Sequence, residues 1–273
     1  MKEDSGEDNS MAHENVVEPG LLYKYGKFDE YTERIFTQNE IYFSSPDEFN
    51  DPFDSKPNLI CDGNLKEIKI FLCKMYKKIY PKLSKEKILT LVEMEIITKG
   101  QGRIIIEETI EKFRGSTINK LGICCFTEIR DNILMWAHYA KRHTGFCLEF
   151  DVNNDFFRVH DRATKVGYDT IMPVINVLKI FTYQGEEQGQ KFLIKANDWK
   201  YEQEWRIVDT KKGPGIQNFP EDALSGIILG CRISQENKEN VFRWCKKRKH
   251  PPILYEAREK QKEFGLDIGK IDY

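Results

Sequence analysis

Several features that would assign a function directly are missing from this sequence. It has no apolar run of the roughly 20 residues that a membrane-spanning helix needs. Its N-terminus lacks the basic region and apolar stretch of a secretory signal. It also contains neither a P-loop nor a Gly-x-Gly-x-x-Gly dinucleotide motif. We therefore expect a cytoplasmic protein that does not engage a membrane.

The cysteines and the net charge further narrow the class of protein that this sequence can encode. The seven cysteines include no Cys-x-x-Cys pair, and Cys124 and Cys147 lie in apolar runs. Such thiols are typical of buried cysteines in a reducing compartment, rather than of disulfides or a zinc site, so we predict no His/Cys metal site. A net charge of −2 gives no sign of nucleic-acid binding through bulk charge.

Hydrophobic periodicity divides the chain into a domain and two tails. Residues 1–19 are acidic and lack periodicity, which predicts a disordered tail. From 20 to 255, strand and helix patterns mix without a regular βαβ repeat, which predicts a single α+β domain. Apolar residues at helical spacing predict a helical insert within it, at about 63–121. Residues 256–273 are rich in charge and predict a charged C-terminal tail.

The segment Tyr201–Arg206 concentrates charge of both signs. If it is a strand, its period of two places Glu202, Glu204 and Arg206 on one face. Two carboxylates and a guanidinium are costly to bury unless they are paired. Two interpretations are open: a structural Glu–Arg network, slightly favoured by this segment alone, or a pocket wall. In the pocket wall, one glutamate acts and Arg206 orients it or holds an anion.

Two other segments combine polar groups with a structural explanation. His138 lies in Met135–Ala140, on a predicted helix, where an isolated histidine is more often a hydrogen-bonded structural residue than a base. The turn formers of Asn50–Phe53 predict a rigid turn closed by Asx hydrogen bonds, with Phe53 anchored in the core. This turn is a stronger explanation of Asp51 than a catalytic role.

Short motifs along the chain resemble a widespread bacterial family known as domain of unknown function twenty-nine seventy-one. The family pattern is L-Y-K-Y, S-S-P-x-x-F-N-D-P-F, C-F-[ST]-E, M-W-x-H-Y-A, G-F-C-L-x-F and Y-E-x-E-W-R. The matching segments of this chain are Leu22–Tyr25, Ser44–Phe53, Cys125–Glu128, Met135–Ala140, Gly145–Phe150 and Tyr201–Arg206. The resemblance extends from about Leu21 to Gly230 and by itself implies no activity.

The order of elements is also similar, at the level of fold, to the ADP-ribosyltransferase superfamily. This resemblance implies a split mixed or antiparallel sheet with a helical insert, and NAD as the substrate. The NAD-binding residues it implies are Lys24, Tyr25, His138, Tyr139 and Arg206. Lys24 or Arg206 would hold the pyrophosphate, and Tyr25 or Tyr139 would stack on a ring. Lys24 stands where those proteins have His or Arg.

The same resemblance implies which side chains carry the chemistry. Cleavage of the bond to nicotinamide passes through an oxocarbenium-like centre, which the Glu204 carboxylate would stabilise. Thr127 would hold Glu204, although the motif around it lacks the superfamily's usual Ser-Thr-Ser. Glu202 would influence transfer to an acceptor.

Three functions follow as hypotheses. The leading one is a nucleotide-handling enzyme that cleaves NAD and modifies protein or nucleic acid, as a toxin or phage-defence effector. The second is a metal-dependent hydrolase or nuclease that uses Asp51, Glu149, Glu202 or Glu204 as ligands. The third is a non-catalytic module that binds a ligand or partner. Stabilisation by NAD or ADP-ribose would support the first, and stabilisation by metal alone the second.

Overall fold

A computed structural model of the chain describes residues 19–99, 103–159 and 163–273. The predicted acidic tail, residues 1–19, lies outside the described residues apart from Pro19. Strands and helices mix irregularly around a mixed sheet, which confirms the predicted α+β class. Every helix within the described ranges is too short or too polar to span a bilayer.

Eight of the strands in the described residues form one sheet, in the order β14-β13-β12-β5-β1-β4-β10-β6. Its neighbours are antiparallel except for β12 and β13, which are parallel. Three two-stranded sheets, β2 with β11, β3 with β8 and β7 with β9, surround it. The strands are β1 (Leu21–Gly26), β2 (Glu40–Phe43), β3 (Asn58–Ile60), β4 (Gly122–Thr127), β5 (Phe146–Asp151), β6 (Thr164–Lys165), β7 (Gly167–Asp169), β8 (Val174–Asn176), β9 (Ile194–Ala196), β10 (Glu204–Asp209), β11 (Gly215–Asn218), β12 (Leu224–Leu229), β13 (Ile253–Glu259) and β14 (Leu266–Lys270).

The helices of the predicted insert form a core of their own. The helix α2 begins after Asn64, whose side chain and that of Glu67 cap its first turn reciprocally. It buries Ile68 and Leu72 against the other insert helices, apart from the core of the main sheet. The helices are α1 (Thr32–Gln38), α2 (Leu65–Ile79), α3 (Lys85–Lys99), α4 (Arg103–Ser116), α5 (Ile133–Tyr139), α6 (Asp155–Val159), α7 (Gly185–Gln190) and α8 (Gln235–Lys246).

The C-terminal segment is part of the sheet. The prediction of a charged tail over 256–273 is wrong, because β13 and β14 pair along it. Ala257 and Leu266 are buried in a cluster with Trp136 of α5. The many charged residues between those apolar positions obscured the strand pattern, since edge strands are commonly rich in charge.

The main sheet is weakly joined at its centre. The strand β1 pairs with β5 at six positions, and β4 pairs with β10 at six. Between β1 and β4, both fully described, the register contains a single position, Tyr23 opposite Thr127. Paired strands lie about 5 Å apart, so the loss of pairing beyond this point leaves space between the two halves of the sheet.

Candidate active site

A cleft of about 340 Å³ lies where β1 and β4 part. Its walls come from these two strands, from α5, from the loop after β2, and from the segment that leads into β10. The cleft brings together all the residues predicted for catalysis or NAD binding except Arg206. These residues are Lys24, Tyr25, Thr127, His138, Tyr139, Glu202 and Glu204.

Five charged side chains form a buried ion network at the floor of the cleft. Lys195 Nζ lies 2.5 Å from Glu202 Oε2, 3.0 Å from Glu204 Oε2 and 3.3 Å from Asp54 Oδ2. Arg206 Nε lies 2.6 Å from Glu204 Oε1, and its Nη2 lies 2.7 Å from Asp54 Oδ2. None of these side chains is more than 6% exposed. Two buried cations therefore compensate the charge of three buried carboxylates.

The two glutamates reach this network through a backbone that differs from the predicted one. The strand predicted over Tyr201–Arg206 starts at Glu204, and Asn197–Glu202 forms a 3-10 helix. Between them Gln203 has a φ of 42°, in the left-handed region that is costly for a residue with a side chain. A strained turn, rather than strand alternation, brings both carboxylates to the same side.

Thr127 stabilises that turn and does not hold the Glu204 carboxylate, as the resemblance implied. Its hydroxyl donates a hydrogen bond to the backbone carbonyl of Glu202 and accepts one from the N–H of Ile129. The backbone N–H of Glu204 is bound separately, by the hydroxyl of Tyr168 at 2.8 Å. Thr127 therefore acts on the position of Glu202.

Arg206 is not placed to hold a pyrophosphate. Its side chain has no exposed surface and is not part of the cleft wall. Its donors are directed to Glu204, to Asp54 and to Ser55 Oγ at 2.8 Å. Burial alone would lower the pKa of Arg206, but Glu204 and Asp54 hold it well above its ordinary value. Arg206 is thus the structural partner of the carboxylates.

The two glutamates differ in their electrostatics. Burial raises the pKa of both, but around Glu204 the charges of Arg206 and Lys195 outweigh it and lower the pKa to about 2. For Glu202, burial outweighs the help of Lys195 and Tyr139, and the pKa is raised. Burial also opposes the charge of Lys195, yet the three carboxylates raise its pKa. Of the two glutamates, Glu202 is therefore the better suited to exchange a proton.

The helix α5 places a hydrogen-bond donor on Glu202. The helix is capped by the Asn132 side chain, which accepts the N–H of Leu134 at 2.9 Å. At its other end Tyr139 Oη donates to Glu202 Oε1 at 2.6 Å. Burial, followed by the charge of Glu202, raises the pKa of Tyr139, so the phenol remains a donor at neutral pH. His138 is exposed and lines the mouth of the cleft.

The strand β1 contributes a cation and an aromatic ring to the opposite wall. Lys24 Nζ donates to the Cys125 carbonyl oxygen at 3.1 Å, across the weak junction of the sheet. An ammonium has three donors, so Lys24 can also serve a ligand anion. Tyr25 donates its hydroxyl to the Ile129 carbonyl, and its ring packs edge-on against Trp136. Those contacts tie Tyr25 to the protein more than to a stacking ligand.

Asp54 and Lys195 line the candidate site and were not predicted from the sequence. The turn before Asp54 forms as predicted, with the Asp51 carboxylate accepting the N–H of Phe53 at 2.9 Å. Phe53 is 66% exposed, however, and Asp54 and Ser55 take the buried positions instead. The predicted anchoring of Phe53 is wrong. The sequence did contain one indication of a residue such as Lys195. If two glutamates are buried beside a single arginine, a second cation is needed to compensate their charge.

The carboxylates considered as metal ligands do not form one site. Glu202 and Glu204 are already paired with cations. Glu149, on β5, accepts a hydrogen bond from Ser225 Oγ at 3.0 Å, and Asp51 closes its own turn. Within the described ranges, no three or more His, Cys, Asp or Glu side chains are grouped to hold a metal ion.

The comparison with known families gives a match over part of the chain. Residues 135–207 match the model of a family described as Protein of unknown function (DUF2971). Searches of curated proteins and of solved structures gave no match. The matched segment contains α5 from Met135 onward and four members of the ion network, Lys195, Glu202, Glu204 and Arg206. Over residues 135–207 the family resemblance indicated by the motifs is therefore confirmed.

Proposed function

We propose that the protein is a nucleotide-handling enzyme, similar to ADP-ribosyltransferases, that cleaves the glycosidic bond of NAD. The observation that carries this proposal is the convergence of candidate residues from distant parts of the chain on one cleft. Lys24, Thr127, Tyr139 and Glu202 line it together. Buried ion networks contribute little net stability compared with apolar packing, so their placement beneath an open cleft favours a chemical role.

Glu202 is the better candidate for the acting carboxyl. The charge of Glu204 is neutralised by two contacts with Arg206, at 2.6 and 2.9 Å. Both glutamates line the cleft and contact Lys195, but the other oxygen of Glu202 accepts a hydrogen bond from the neutral Tyr139 hydroxyl. The sequence hypothesis gave bond cleavage to Glu204 and transfer to Glu202, and the geometry favours Glu202 for the cleavage step.

The reaction would use this arrangement as follows. The bond between the ribose C1′ and the nicotinamide nitrogen breaks, and its electron pair leaves with nicotinamide. The Glu202 carboxylate stabilises the positive charge that develops on the ribose. Water, or a nucleophile of a protein or nucleic-acid acceptor, then bonds to C1′ and gives its proton to Glu202. Lys24 is the cation best placed to hold a phosphate of the substrate.

Release of nicotinamide from NAD by the purified protein tests the proposal directly. We expect Glu202→Gln to lower the rate at least about a hundredfold, because the shape is kept and the charge is lost. The matched control is Glu149→Gln, which changes a buried glutamate outside the cleft and should keep the rate. Melting temperatures measured with NAD and ADP-ribose report binding separately.

Two outcomes would contradict the proposal. An equal loss of rate in both variants would assign the effect to stability rather than to Glu202. Absence of nicotinamide release, together with no stabilisation by NAD or ADP-ribose, would exclude NAD as the substrate. Stabilisation by NAD without turnover would instead favour the hypothesis of a non-catalytic binding module.

A further inference from the structure

A second cavity, of about 300 Å³, lies at the opposite end of the strands that carry the ion network. Cys125 pairs with Arg206 and Ile123 pairs with Val208 in the β4–β10 register. Alternate residues of a strand share a face, so Ile123 and Val208 extend the face on which Cys125 and Arg206 lie. Ile123 lines both the cleft and the second cavity.

The side chains that line the second cavity disfavour a charged ligand. The lining consists of seven apolar side chains, three threonines and two glycines, with no ionisable group among the described residues. Phe113 comes from the insert helix α4, and Phe192 comes from the segment before β9. A charged ligand would lose its hydration here without gaining a partner. An apolar cavity of about 150 Å³ is enough to bind benzene, so this volume accepts a larger ring system.

We propose that this cavity binds a small uncharged apolar molecule, about the size of two fused aromatic rings, and that its occupancy acts on the ion network. Three short connections support the coupling. Leu193 lines the cavity two residues before Lys195, and Val208 lines it two residues after Arg206. Ile123 forms a wall common to both spaces. The inference does not depend on NAD being the substrate of the cleft.

A glycine in the cavity wall provides a blocking variant. Gly189, in α7, lines the cavity, and a Cβ added there would meet no atom within 4 Å. Gly189→Leu therefore adds an apolar side chain at the cavity wall without displacing backbone, and leucine is a better helix former than glycine. Gly269, on β14 at the far edge of the sheet, has similar open space and supplies the control Gly269→Leu.

Indole is the probe, and indole-2-carboxylate is its charged counterpart. We expect indole to shift the methyl resonances of Ile123 and Val208 saturably in the wild-type protein and in Gly269→Leu. Gly189→Leu should weaken indole binding at least tenfold while keeping the melting temperature. Equal binding of indole and indole-2-carboxylate, or no saturable shift at millimolar indole, would each overturn the site.

The coupling has its own measurement. The carboxyl carbon of Glu202 can be titrated by NMR with and without saturating indole, which requires no enzymatic activity. We expect the midpoint to move when the cavity is filled, because Lys195 adjoins both the cavity segment and Glu202. An unchanged midpoint at saturation would overturn the coupling. This readout also distinguishes failure of the coupling from failure of the proposed NAD reaction.

Discussion

At the floor of the cleft, Lys195 and Arg206 are buried among carboxylates, whereas most buried positions of the helical insert, such as Leu72, are apolar. The buried Glu95 of the insert pairs with Lys112, whose side chain is 30% exposed, so that pair reaches the surface. The insert also contains the surface pair Lys69–Glu93, whose side chains are 37% and 48% exposed. Burying ions is often no better for stability than apolar packing. Because the insert builds a core mainly from apolar side chains, stability alone does not explain the network beneath the cleft.

The sharpest way to test this contrast is to remove one cation from each region. Arg206→Met should lower the free energy of unfolding by about 3–5 kcal/mol, because Asp54 and Glu204 lose the partner that compensates their buried charge. Lys69→Met removes a cation from an exposed pair and should cost less than about 1 kcal/mol. Urea denaturation at neutral pH measures both values.

Equal losses in the free energy of unfolding for the two variants would contradict the contrast between the two regions. They would mean that the floor of the cleft relaxes or admits water when Arg206 is lost. A near-native midpoint for Arg206→Met would show that the network is dispensable for folding.

The network should also give the protein a defined acid sensitivity. The pKa of Glu204 is lowered from 4.5 to about 2 in the folded protein. A carboxyl with a lowered folded pKa stabilises the protein above its unfolded pKa, and that contribution disappears as the pH falls through the folded pKa. The contribution is about 3 kcal/mol at neutral pH and should be lost between about pH 4.5 and pH 2.

Glu202 has the opposite effect on stability. Because its pKa is raised in the folded protein, its ionisation lowers the free energy of unfolding and its protonation raises it. The measurement is the free energy of unfolding against pH for the wild type and Glu204→Gln. The two curves should converge as the pH falls through this window. Parallel curves would show that the Glu204 carboxylate is not stabilised by its neighbours.

A small effect is also expected from a change that preserves shape at a buried position of the insert. Leu72→Met keeps an apolar side chain of similar volume at a fully buried position and should cost less than about 1.5 kcal/mol. Glu204→Gln preserves shape equally well at the floor of the cleft and should cost more at neutral pH, because charge is lost. Thermal unfolding of the pair compares the two regions directly. A larger loss for Leu72→Met would reverse the contrast.

The sequence predicts the α+β class and the segments of the site better than it predicts the contacts within the site. Local patterns place Glu202, Glu204, Tyr139 and Thr127 in motifs, and these residues do line one cleft. The partners of those residues follow from long-range packing that no local pattern encodes. Lys195 lies outside every motif, yet it contacts three carboxylates.

The errors have identifiable physical causes. Strand alternation predicts the common side of Glu202 and Glu204, but the αL residue Gln203 produces it. Phe53 was expected in the core because of its hydrophobicity, yet the pairing of Asp54 with Arg206 takes the buried position next to it. In both cases a contact between residues distant in sequence accompanies the local conformation: Thr127 binds the Glu202 carbonyl, and Arg206 binds Asp54.

The contact between Asp54 and Arg206 joins positions 152 residues apart, whereas Lys195 and Glu204 are separated by nine. Closing a long loop costs more chain entropy than closing a short one, and contacts distant in sequence slow folding. The stretch from Lys195 to Arg206 can therefore assemble early, while Asp54 joins it only after the insert and the intervening strands are in place. We expect the floor of the cleft to be completed late in folding, so that a chain acquires its binding site only once most of its fold has formed.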